Sequence, residues 1–115
     1  MGLVVGIDGD IYKSLSVIET PAQIKSGATI VYGGLVHNEN AGVRYLKFYN
    51  ALAANVSVGT TVPVMTIAMR PDTITYIPGG WRVDTGLTVV SLTGLADADT
   101  TGATANETQL TLIYK

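Results

Sequence analysis

Cysteine is absent from this 115-residue chain. Disulfides, thiolate metal sites and cysteine nucleophiles are therefore excluded. Charge is scarce: Asp, Glu, Lys and Arg make up 14% of the residues, against roughly 25% in ordinary globular domains. Seven basic residues face nine acidic ones, for a net charge of -2. That balance lacks the basic surface on which nucleic-acid binding depends, so nucleic acid is not an expected partner. No apolar run approaches the roughly 20 residues needed to span a bilayer. The opening MGLVVGIDGD has neither the basic start nor the long apolar stretch of an export signal. The expectation is a soluble protein with no membrane partner. Histidine, tryptophan and phenylalanine occur once each, which leaves few side chains for acid–base work or aromatic platforms.

What the chain has in abundance is β-branched side chains. Val, Ile and Thr supply 37 residues (13, 9 and 15). They are stiff at χ1 and suit a pleated surface better than a helix. Thirteen glycines and four prolines fall between short apolar runs, as in an antiparallel β domain. Eight strands are expected, over 12–20, 28–37, 43–50, 62–70, 73–77, 81–85, 87–93 and 107–115. The Gly33-Gly34 pair inside the second points to a bulge or a close backbone approach. In the third, Leu46 and Phe48 are expected to face inward. In the fourth, Met65, Ile67 and Met69 form one apolar row. The helix-friendly ALAAN at 51–55 is too short for more than a turn or two and is read with the loop at 51–61. The spacing predicts an all-β, antiparallel two-sheet sandwich of jelly-roll type with about eight strands. Residues 1–22 form an N-terminal arm or first strand, and 23–115 a single β-sandwich domain, large enough to hold a core without staples.

Reactive constellations are few. His37 lies in a polar turn, HNEN, without further His or Cys to share a metal. Neither Ser57 nor Ser91 carries the strand–turn–helix signature of a nucleophile. Asp97, Asp99, Asn106 and Glu107 offer oxygens in the loop LADADTTGATANE, but not at the spacing of the twelve-residue calcium loop. A polar loop in which Asp and Thr bond their own backbone is the favoured reading. Asp8-Gly9-Asp10 reads as a turn. No acid sits inside an apolar run where its pKa would be raised for catalysis. No phosphate-binding glycine motif is present. The expectations are no enzymatic activity, no cofactor and no metal.

The segment 45–115 resembles small β-sandwich structural proteins of tailed bacteriophages. The likeness is carried by YLKFYN (45–50), VGTTVPV (58–64), MTIAM (65–69), the Pro-Gly-Gly turn at 78–80, WRVDTGL (81–87), the Asp/Thr loop at 96–101, and ANE (105–107) before a last strand ending in Tyr114-Lys115. The resemblance implies a capsid decoration, or cement, protein that bridges neighbouring capsid subunits. On that view it resides on the virion's capsid surface after assembly in the host cytoplasm. The implied partners are itself, as a homotrimer, and the major capsid protein. The contact residues expected are Leu3, Val4, Val5 and Ile7 in the arm, with Trp81 and Arg82 at a subunit contact. The alternative is a tail- or fibre-associated or carbohydrate-binding module, using Trp81 and exposed tyrosines as platforms, with calcium at Asp97 and Asp99.

Overall fold

The computed structural model describes residues 9–115. They form β1 (Asp10–Ser14), β2 (Ala22–Ser26), β3 (Thr29–Asn38), β4 (Arg44–Asn50), β5 (Met65–Met69), β6 (Thr73–Ile77), β7 (Trp81–Val83), β8 (Gly86–Leu92) and β9 (Thr108–Tyr114), with one 3-10 turn at Ala53–Asn55. Two antiparallel sheets result. The first runs β1-β9-β3-β6, with β7 also on β3; the second runs β2-β8-β4-β5. With the short β7 set aside, the chain is one long hairpin wound on itself: β1 pairs β9, β2 pairs β8, β3 pairs β6 and β4 pairs β5. The additional pairs β3–β9 and β4–β8 close the two sheets. This is jelly-roll order. The fold class is the one the sequence pattern predicts.

The boundaries differ at the start. The expected strand over 12–20 stops at Ser14, and residues 15–21 cross from one sheet to the other. The Val17 N–H donates to the Thr108 carbonyl in the first sheet (2.9 Å), and the Ile18 carbonyl accepts from Ser91 N–H in the second (3.0 Å). β2 is the strand that the pattern did not reveal. Its sequence AQIKS has one strong apolar residue, Ile24, and a register shift between Gln23 and Lys25 breaks its alternation.

β3 is the central strand of the first sheet, and its Gly33-Gly34 pair changes which parity faces inward. Thr29 and Val31 are buried before the pair; Val36 and Asn38 are buried after it. The β9 register shifts by one residue between Val31 and Gly33, as a bulge requires. Gly33 has φ 133°, a conformation that a side chain rarely adopts. At Gly34 a Cβ would collide with the Thr111 carbonyl oxygen.

Between the sheets lies the main core, with Val36, Leu110 and Leu112 from the first sheet against Leu46, Phe48 and Leu87 from the second. Each such side chain contributes roughly 1.5–3 kcal/mol on burial. Asn38 is the polar link across it. Its Nδ2 donates to the carbonyls of Gly42 (3.0 Å), Met69 (3.2 Å) and Arg70 (3.2 Å), which ties the end of β3 to the end of β5.

Replacing Gly34 by Ala is expected to destabilise the fold by at least about 3 kcal/mol, because backbone on β9 cannot yield as a side chain would. Urea denaturation measures this; a loss below about 1 kcal/mol would show that β9 can move aside.

Candidate interaction surface

The two sheets treat their outer faces differently. On the second sheet, Lys47 and Tyr49 of β4 and Thr88, Val90 and Leu92 of β8 point away from the main core, yet all are fully buried. Two connections, over 51–64 and 93–107, roof that face. Tyr49, Val90 and Leu92 form a second apolar cluster, with Val56 and Val58 packed on it. Lys47 Nζ donates to the Ala96 carbonyl (2.6 Å) and pins the second connection down. Burial, and then the nearby Asp97 carboxylate, raise the Tyr49 pKa. Among the described residues nothing hydrogen-bonds the buried Tyr49 hydroxyl.

The outer face of the first sheet carries no such roof among the described residues. Cross-strand register sets Lys13, Thr111, Leu35 and Tyr76 in one row across β1, β9, β3 and β6. Gln109, His37 and Ile74 form the next. Tyr76 is 78% exposed and Ile74 55%. Exposed apolar side chains grouped on one sheet face mark a contact surface. The sequence contained the signal, since Ile74 and Tyr76 alternate with Thr73, Thr75 and Ile77. Their outward direction depends on the β3–β6 register and on Ile77 being the buried one.

Among the expected contact residues, Leu3, Val4, Val5 and Ile7 lie outside the described residues. Trp81 and Arg82 are neighbours on β7 and so point to opposite sides. Trp81 faces the core, edge-on to Phe48 with ring centroids 5.2 Å apart, and its indole N–H donates to the Pro78 carbonyl (2.7 Å). Arg82 faces solvent and pairs with Asp84 at 3.2 Å. The structure therefore does not bring these two side chains onto one surface.

The polar candidates are dispersed. His37 is on the outer face of the first sheet, 3.6 Å from Glu39. Ser91 lies buried in β8, its hydroxyl 2.9 Å from that of Thr108. Asp99 accepts from Gly94 N–H (3.0 Å) and closes its own loop. Asn106 takes a positive φ of 66° and donates its N–H to Ser16 Oγ. Glu107 gathers Arg44 Nε (2.9 Å), Thr104 N–H (2.7 Å) and Asn40 Nδ2, clasping the turn before β4 to the approach to β9. Among the described residues no three His, Cys, Asp or Glu side chains converge as metal ligands. No helix among them is long and apolar enough to cross a membrane.

No protein-family model and no curated protein matches the chain. A solved chain from the disulfide-linked pili of Bacillus endospore appendages is similar at 16% identity and a TM-score of 0.42, covering 99% of this chain and 95% of that one.

The Glu107 clasp has a pH signature. Burial pushes its carboxyl pKa up, but the donors Thr104, Arg44 and Asn40 outweigh that and hold it below the ordinary 4.5. A depressed folded pKa contributes stability that is complete above the unfolded value and is lost as pH falls through the folded one. Glu107→Gln is expected to cost about 1–3 kcal/mol at neutral pH and to flatten the acid limb of the stability profile. Urea melts from neutral to strongly acidic pH check both; an unchanged acid limb would place that pH dependence elsewhere.

Proposed function

We propose that this chain is a non-enzymatic structural protein of a tailed-bacteriophage particle: a capsid decoration protein that associates with its own copies and bridges neighbouring capsid subunits. The observation that carries the reading is the unequal covering of the two sheets. One outer face is roofed by the chain's own connections, while the other leaves apolar side chains such as Ile74 and Tyr76 in solvent. A building block that adheres through its open sheet face is consistent with that asymmetry, and the roofing connections add exposed Val62, Val64 and Leu95 on the other side. The low charge content favours dry contacts over solvated ones. The resemblance of 45–115 to phage structural proteins is the support for the particle, the capsid surface and the three-fold arrangement in this reading. Weak contacts repeated by symmetry sum to strong attachment.

The arm residues Leu3, Val4, Val5 and Ile7 are proposed as the capsid-facing or neighbour-facing contact. Arg82, exposed on β7, is the member of the Trp81–Arg82 pair available for a subunit contact. A second reading, a glycan-binding module of a tail or fibre, draws on the exposed Tyr76 ring. Trp81 is engaged with Phe48 and serves that reading less well.

Co-sedimentation with shells of the cognate major capsid protein tests the proposal. The full chain is expected to bind and to raise the shells' resistance to heat, whereas a chain lacking residues 1–8 keeps its β spectrum and loses binding. No binding by the full chain removes the capsid reading; equal binding by the truncated chain removes the arm's role. Glycan-array binding without shell binding favours the second reading.

A further inference from the structure

Five strands lie at the edges of the two sheets, and their charges are unevenly placed. At one end, β1 carries Asp10 and Lys13, and β2 carries Lys25. Charged residues on an edge strand discourage pairing with another chain. At the other end, β5 (MTIAM) and β6 (TITYI) have no charged residue, while β7, which follows β6 along the same edge of β3, carries Arg82. Among the described residues neither β5 nor β6 has a strand on its outer side. Each thus presents a row of backbone groups of the kind that templates strand addition. Exposed apolar side chains lie in or just before these two strands, Tyr76 (78%), Val62 (69%), Ile74 (55%) and Val64 (52%), while Leu95 (63%) and Leu15 (62%) are exposed elsewhere.

We infer that the β5–β6 flank is a two-fold interface with a second copy of this chain, in which β6 pairs antiparallel with β6 of the second copy. This rests on the reading that the protein associates with itself, and it names the surface. Two observations select a second copy as the occupant. First, an antiparallel pair keeps a constant sum of residue numbers. A two-fold axis through Thr75 therefore sets Ile74 of each copy opposite Tyr76 of the other, an aromatic–β-branched pair of the favourable kind. The exposed side chains of β6 complement each other in that register. Second, an isologous β6–β6 contact pairs a strand without charge only with itself, whereas pairing through β1, β2 or β7 would bring Asp10, Lys13, Lys25 or Arg82. A two-fold contact stands beside a three-fold one and joins copies, or trimers, in pairs.

The test is the solution mass of the full chain by light scattering and sedimentation over a wide concentration range. The wild type is expected at an even multiple of 12.0 kDa. The double variant Ile74→Lys with Tyr76→Lys replaces two exposed side chains and is expected to keep its β spectrum while its mass halves and its melting temperature stops depending on concentration. Lys13→Glu, on the opposite edge, is expected to leave the mass unchanged. An odd multiple in the wild type, or an unchanged mass in the folded double variant, overturns the β6 interface while self-association stands. A lone 12.0 kDa wild type overturns both. A double variant that loses shell binding at unchanged mass assigns the flank to the capsid protein and overturns the inference.

Discussion

The close approach of β3 and β9 at Gly34 is the contact on which the first sheet depends. β3 is hydrogen-bonded on both sides, to β9 along one and to β7 and then β6 along the other. A continuous alternation would have turned either Val31 or Val36 to solvent, because side chains alternate with a period of two. The bulge at Gly33-Gly34 inserts one residue and lets both face the core. It also divides the strand's far edge, so that β7 docks before it and β6 after it. Trp81 reaches Phe48 because β7 is held opposite Val31.

The second sheet meets a different constraint. β8 is buried along its entire length, so its outward residues need a cover as much as its inward ones. The connections over 51–64 and 93–107 supply it. A polar group beneath such a roof needs a hydrogen-bond partner, since burying one without is costly. Lys47 finds the Ala96 carbonyl, and this bond joins β4 to a loop nearly fifty residues downstream. Asn38 and Glu107 act in the same way at the other connections, each gathering several donors or acceptors from distant segments. Polar side chains here fasten loops to a slab that apolar burial builds.

The surface that results is uneven, and the functional reading grows from that unevenness. Among the described residues the acids and the histidine are spread over separate loops and faces, each with a local structural partner or in solvent. Apolar exposure lies on the outer face of the first sheet and beside β5 and β6, and also at Leu15 and Leu95. The proposed particle role and the proposed flank both draw on this distribution, the first on the open face and the second on the uncharged edge strands.

Much of the architecture was legible in the amino-acid order. Alternation identified Leu46 and Phe48 as inward, put Met65, Ile67 and Met69 in one row, and marked Gly33-Gly34 as irregular, because each is a local consequence of a two-residue period or a missing Cβ. β2 was not legible, since one isoleucine in AQIKS makes no pattern and its pairing with β8 is a long-range event. The burial of Lys47 and Tyr49 was equally hidden: alternation says which side a residue faces but not whether a distant loop covers that side. The same holds for Trp81 and Arg82, adjacent in the chain and opposed across the sheet. Composition and periodicity determined an all-β sandwich, since those are properties of neighbouring residues. Which faces were closed, which edges stayed open and which loops were tied together depended on contacts between residues far apart, and only the tertiary structure decided them.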